Sequence, residues 1–211
     1  MATASQIIGD QVVTGVQSAA LFSGPAYRTN LITELSKVYP LPLEHWRVWD
    51  DFGTVIKTAA SDDLGVATGA LATLGTFVPH LRGLDLINGT VTGYARQLFQ
   101  LPPQFVSSSS VVIRAACGMK TATAATSATL DFECYKSART LSVGSDLVTT
   151  SPITTVNSTT FSENLFTVTA SGLSAGDWLD IRISLSAVST AIAANTYLAV
   201  AHAEVLLSVQ G

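Results

Sequence analysis

Three histidines, two cysteines, three tryptophans and two adjacent pairs of aspartates are the side chains whose types admit chemistry in this chain. His45, His80 and His202 are scattered, and none stands at a ligand spacing such as two imidazoles four apart on a helix. His202, between Ala201 and Ala203, reads as an ordinary strand histidine. The one Gly-x-Ser-x-Gly match, Gly172-Leu-Ser-Ala-Gly176, reads as a turn leading into a strand and not as a strand-to-helix elbow, and neither cysteine belongs to a recognisable Cys/His motif, so nucleophilic hydrolysis has no carrier. Asp50-Asp51 and Asp62-Asp63 offer oxygen ligands for calcium or a pair of carboxylates for acid–base work. Adjacent residues of an extended chain point to opposite faces, so both pairs read as solvated loop ends. With no Gly-x-Gly-x-x-Gly and no phosphate loop, nucleotide chemistry lacks its cradle. The expectation is a protein that is not an enzyme, with no catalytic residue, no cofactor and no metal ligand.

Cys117 and Cys134 share an inward phase on consecutive predicted strands and face one another if the turn between them is centred near Ala125. A disulfide is open to them; two buried thiols in a reducing cytosol is the preferred reading. The tryptophans leave two uses open. Trp178, outward on its strand, with Trp46 and Trp49 close together in sequence, would form a stacking platform for a sugar ring. The preferred alternative has Trp46 and Trp49 anchoring an N-terminal arm while Trp178 fills a subunit contact.

The elements that position these residues are strands. The chain has 211 residues and a mass of 22.0 kDa, enough for one substantial domain with an appendage. Charged residues are 12% of it against roughly 25% on average, and hydrophobic residues 47%, so Ala, Ser, Thr and Gly stand where charges would. A net charge of -4 and a pI near 5.2 exclude the clustered cations on which phosphate-backbone binding depends, and no nucleic-acid partner is expected. Mean hydropathy is +0.39, yet no run reaches the roughly 18 apolar residues of a spanning helix, so a soluble protein without a membrane partner is expected. No Lys or Arg precedes Arg28, so a cleaved leader, with its basic start, is not expected.

From Asp63 onward, short apolar stretches alternate with period two between turns rich in Gly, Ser, Thr, Asn and Pro. Val111, Ile113, Ala115 and Cys117 alternate with Val112, Arg114 and Ala116. Leu130, Phe132 and Cys134 alternate with Asp131, Glu133 and Tyr135, placing carboxylates on one face. Leu179, Ile181, Ile183 and Leu185 alternate with Trp178, Asp180, Arg182 and Ser184 after the turn Gly172 to Asp177. Further strands are predicted over Thr54–Thr58, Leu64–Leu74, Leu84–Asn88, Thr90–Leu101, Phe166–Ala170 and Tyr197–Val209, with Asn88-Gly89 as a hairpin turn. About eight or nine strands at this spacing predict an all-β, two-sheet jelly-roll sandwich over residues 50–211. An immunoglobulin-like sandwich fits less well, because no Trp lies between the two cysteines.

Residues 1–49 lack this periodicity and are expected to form an extended N-terminal arm, with a short helix over Asn30–Val38 and an irregular Tyr39-Pro-Leu-Pro-Leu43. Ile7, Ile8, Val12, Val13, Leu21, Phe22, Leu31 and Leu35 give it more apolar surface than a solvated tail carries, so it is expected to pack on its own body or on a neighbour. Candidate assembly contacts are Ile7, Ile8, Leu21, Phe22, Leu31, Leu35, Trp46, Trp49 and Trp178.

Four segments carry a family resemblance: Ala95-Arg-Gln-Leu-Phe-Gln-Leu-Pro-Pro-Gln-Phe105, the strand pair Val111–Cys117 and Ser127–Tyr135, Phe166-Thr-Val-Thr-Ala-Ser-Gly-Leu-Ser-Ala-Gly-Asp-Trp-Leu-Asp-Ile-Arg182, and the closing Leu206-Leu-Ser-Val-Gln-Gly211. Over residues 50–211 the chain resembles the jelly-roll head decoration, or cement, proteins of tailed bacteriophages. That resemblance implies a capsid protein of the virion head surface, made in the host cytoplasm. Its partners would be the major capsid protein and copies of itself, as a homotrimer clamping neighbouring shell subunits. The other function weighed is a carbohydrate- or receptor-binding jelly-roll module of a virion or secreted protein, with Trp46, Trp49 and Trp178 carrying affinity.

Overall fold

The computed structural model describes residues 34–56, 63–71, 74–121, 125–137 and 143–210. Among them are ten strands: β1 (Glu34–Pro40), β2 (Gly65–Leu71), β3 (Gly75–Arg82), β4 (Gly89–Gln100), β5 (Val111–Met119), β6 (Ala125–Ser137), β7 (Val143–Asp146), β8 (Ser162–Val168), β9 (Trp178–Ser189) and β10 (Leu198–Gln210). One sheet runs β2-β3-β10-β5-β8, with β1 also paired to β10; the other runs β4-β9-β6-β7. From β3 onward the chain passes between the sheets so that β3-β10-β5-β8 faces β4-β9-β6-β7, the strand order of two interlocked Greek keys. The fold is an all-β jelly roll.

Alternation drives it. Val111, Ile113, Ala115 and Cys117 of β5 and Val205, Leu207 and Val209 of β10 turn inward from one sheet. Leu130, Phe132 and Cys134 of β6 and Leu179, Ile181, Ile183 and Leu185 of β9 turn inward from the other. Phe132 and Phe166 meet across the sandwich at 5.0 Å between ring centroids. Each Val, Leu, Ile or Phe among them contributes about 1.5–3 kcal/mol on burial, and the period-two pattern gathers them into one core.

Several expectations change. Cys117 and Cys134 are free and buried, but β5 and β6 lie in different sheets, not side by side. Burial raises both thiols, Cys134 to about 12, where the charges of Asp146 and Asp180 add to the effect. Residues 34–48, expected in the arm, belong to the sandwich. Glu34–Val38, the second part of the expected helix, is strand: seven residues of β1 pair with β10, from Glu34 opposite Gln210 to Pro40 opposite Glu204. Pairing between residues 164 to 176 positions apart leaves no local period to read. Asn30 to Ile32, with Ile7, Ile8, Val12, Val13, Leu21, Phe22 and Leu31, lie outside the described residues.

The strand expected over Leu84–Asn88 is a single bridge, Leu86 to Ala193, so Asn88-Gly89 does not close a hairpin; Gly89, at φ +129°, opens β4. Thr54–Thr58 likewise holds one bridge at Val55, its last two residues lying outside the described ones. β3 was not legible because Pro79 interrupts it. β10 meets β3 only at Leu81 and Arg82, so the proline removes no donor from that ladder.

Past β1 the chain crosses from one sheet to the other. Leu41 N–H donates to the Ala203 carbonyl at 2.8 Å, a 3-10 turn at Leu43–His45 redirects the backbone, and Arg47 and Arg96 exchange backbone hydrogen bonds of 2.8 and 3.1 Å. Trp46, with none of its surface exposed, locks this crossing into the core. Leu64 then binds the other half of β4 through the Tyr94 carbonyl at 2.9 Å.

Candidate functional site

The outward positions of the four-stranded sheet form rows across β4, β9 and β6. From one end they read Gln100, Trp178, Ser137; then Leu98, Asp180, Tyr135; then Arg96, Arg182, Glu133; then Tyr94, Ser184, Asp131; then Thr92, Ser186, Thr129. Alternation places all of them on the face away from the core, and two-residue spacing sets the rows about 7 Å apart.

A short hairpin covers the β4 side of this face. Arg47 pairs with Val55, and Val48 N–H donates to the Thr54 carbonyl at 3.0 Å. Asp51 stitches the tip, accepting from Gly53 N–H at 2.8 Å and from the Thr54 hydroxyl. These bonds hold the Asp51 carboxyl below its ordinary range. The aspartate is therefore a turn-former, as its loop-end reading implied. The hairpin delivers two aromatic rings: Trp49 lies 5.1 Å from Tyr94 between centroids, and Phe52 sits 5.1 Å from the Arg96 guanidinium.

Asp180 organises the centre. Arg96 Nε donates to its Oδ1 at 3.1 Å and Nη2 to its Oδ2 at 2.5 Å, while Arg182 gives Oδ2 both Nε at 3.1 Å and Nη2 at 2.9 Å. The third Arg96 nitrogen donates to the Trp49 carbonyl at 3.2 Å, tying hairpin to sheet. The Arg182 guanidinium stands between two rings, 5.0 Å from Trp49 and 4.4 Å from Tyr135. Two cations closing over one carboxylate explain why Asp180 is only 1% exposed at an outward position.

The β6 side is acidic. Glu133 accepts from the Tyr135 hydroxyl at 3.0 Å, and burial with that bond raises the Tyr135 pKa. Asp131 is raised first by burial and then by the charges of Glu133 and Asp146. Trp49, Tyr94, Tyr135, Asp131, Glu133, Arg182 and Ser184 are all half-buried, reachable from solvent yet fixed by neighbours. The face thus combines aromatic rings with fixed donors and acceptors.

Of the tryptophans singled out in sequence, Trp49 and Trp178 lie on this face, Trp178 with 39% of its surface exposed. Trp46 does not; full burial leaves it no surface for a sugar or a subunit. Leu35 is exposed on β1, in the other sheet. Tyr94, Arg96, Tyr135, Asp180 and Arg182 were not among the candidate site residues. The outward phase of Asp180 and Arg182 on the predicted strand was the available signal, but the hairpin that completes the cluster has no motif.

The histidines are apart: His45 and His202 are exposed at separate places and His80 is buried beneath Tyr197. No group of three His, Cys, Asp or Glu suited to a metal ion occurs among the described residues. No helix among them is long and apolar enough to cross a membrane.

No protein-family model and no curated protein matches the chain. Among solved structures it is similar to TmCBM61, determined in complex with β-1,4-galactotriose, at 7% identity and a TM-score of 0.43 over 86% of this chain and 93% of that one. It is also similar to the CBM22-1 xylan-binding domain of Xyn10C from Paenibacillus barcinonensis, at 11% identity and a TM-score of 0.43 over 83% of this chain and 94% of that one.

Proposed function

We propose that this chain is a carbohydrate-recognition module that binds glycans on the outer face of its four-stranded sheet. The observation that carries the reading is the cluster in which Trp49, Tyr94 and Tyr135 surround Arg182 and Asp180. Sugar rings present apolar C–H faces and hydroxyls of mixed donor and acceptor character. Half-buried aromatic rings meet the first, and held Arg, Glu, Asp and Ser groups meet the second. Trp178, Tyr135, Trp49 and Tyr94 follow one another along the face, so a chain of several sugar units finds a ring at successive positions. The cation between Trp49 and Tyr135 fixes both rings before a ligand arrives, lowering the entropy lost on binding.

The test is a glycan array with the intact protein, followed by titration of any hit against wild type and Trp49→Ala. The module reading expects a hit whose affinity falls at least tenfold in the variant, about 1.4 kcal/mol. Absence of any hit, or an affinity untouched by the substitution, removes it.

A second reading is a structural protein docked on a virion shell, and the structure supports it only as far as a surface suited to a protein contact. The outer face of the larger sheet carries Val38, Leu206 and Val112 in one cross-strand row, with Leu165 one row away and 55% exposed. Apolar side chains aligned on a sheet face suit a protein contact. In that reading the partners are a major capsid protein and further copies of the chain; Leu35, exposed on β1, pairs with the inward Val209 and so lies on the opposite face from the stripe.

A further inference from the structure

The charge arrangement of the outer face selects among glycans, an inference that rests on the module reading above. Recognition of a carboxylate-bearing sugar normally uses the paired N–H edge of an arginine. Both arginines on this face have spent that edge internally: Nε and Nη2 of Arg96 and Nε and Nη2 of Arg182 all donate to Asp180. Arg96 Nη1 is also taken, by the Trp49 carbonyl. Apart from Nη1 of Arg182, what remains toward solvent is negative. Glu133 and Asp131 stand outward beside Arg182 and Ser184, with Asp146 close enough to raise the Asp131 carboxyl. Asp146 accepts backbone N–H groups of Cys134 and Val148 at 2.9 and 3.0 Å, and Glu133 accepts the Tyr135 hydroxyl. None of these three carboxylates has an ion-pair partner among the described residues. Two cations against Asp180, Asp131, Glu133 and Asp146 leave the face with an excess of two negative charges, and it sits in a molecule of net charge -4.

We propose that this face takes uncharged glycan chains and rejects those carrying uronate or sialate groups. Carboxylates accept hydroxyl protons readily, so the groups that repel an acidic sugar are the same that hold a neutral one. The rejection comes from position as well as charge, because a ligand carboxylate laid across the β6 side meets Asp131 and Glu133, with the Nε–Nη2 edges of both arginines already on Asp180 and only the Nη1 side of Arg182 left to receive it.

The experiment titrates the full chain at low salt with neutral gluco-, manno-, galacto- and xylo-oligosaccharides. Oligogalacturonate and oligomannuronate of matched length, and sialyllactose beside lactose, are titrated in parallel. At least one neutral series is expected to bind, with its acidic counterpart weaker by about tenfold or more, and the gap is expected to shrink in high salt. Asp131→Asn combined with Glu133→Gln, both outward positions, is expected to bring the ratio of neutral to acidic affinity toward one, some neutral affinity being lost as well; an unchanged ratio overturns the selectivity. An acidic sugar bound as tightly as its neutral partner, or more tightly, overturns the selectivity while leaving the module reading in place. No binding by any sugar overturns both.

Discussion

Outward phase on a strand normally means exposure, and Asp180 departs from it because its charge is neutralised where it stands. A carboxylate this buried is tolerated only with its oxygens occupied, and Arg96 and Arg182 supply four donors. His80 is the second polar residue held in this way. It is fully buried, its Nδ1 lies 2.8 Å from the Val78 carbonyl and its Nε2 3.0 Å from the Tyr197 hydroxyl. A carbonyl only accepts, so Nδ1 carries the proton and Nε2 accepts from Tyr197. Burial pushes the His80 pKa below its ordinary value of 6.5; the Val78 bond opposes this, and the charges of Lys120 and Arg82 add to it. Both cations lie over the Tyr197 ring, at 5.0 and 4.6 Å, and Asp85 pairs with Arg82 at 2.7 Å. Below pH 6.5 the unfolded chain therefore takes up a proton that the folded chain refuses, so stability falls as pH drops through that value toward the lowered folded pKa. Urea midpoints between about pH 7.5 and 5.5, above the range where ordinary carboxylates titrate, are expected to decline on the acid side. His80→Gln is expected to flatten the slope. A flat profile in the wild type contradicts the assignment.

At the scale of elements, β1 is the part whose role changed most between sequence and structure. It belongs to the sheet through seven pairings with β10, and it carries Tyr39 against Phe99 at 5.9 Å between centroids. A chain cut to residues 34–211 keeps all of β1, which begins at Glu34, and serves as the reference for that strand. A cut to 41–211 strips one edge of β10 and is expected to cost about 3 kcal/mol or more, with aggregation through the opened edge. Denaturant unfolding of the two truncations separates them; equal stability of both contradicts the place given to β1. Legible in advance were β4, β5, β6, β9 and β10, which bury every second residue over long runs, together with β2, inside the expected Leu64–Leu74, and the end of β8, inside the expected Phe166–Ala170. β1, with four exposed residues in a row, β3, with Pro79, and the four-residue β7 carry no such pattern, and only their pairing partners make them strands.

For the whole molecule, a jelly roll presents two outer faces, and here they differ in chemistry. The larger sheet shows an apolar stripe with Arg114 between Glu204 and Glu163, and the smaller sheet shows the ring, arginine and carboxylate array. The alternation that made the core legible also assigned Trp178, Asp180, Arg182, Asp131, Glu133 and Tyr135 to outward positions. Their convergence was not legible, because it depends on β9 lying between β4 and β6 and on the hairpin 47–55 folding back onto β4. The most direct measurement of the central claim is a map of backbone amide shifts during titration with a glycan taken from the array. Shifts concentrated at Trp49, Tyr94, Glu133, Tyr135 and Arg182 are the predicted result. Shifts confined to the outer face of the larger sheet, around Val38, Val112 and Leu206, contradict the claim and make that stripe the binding surface.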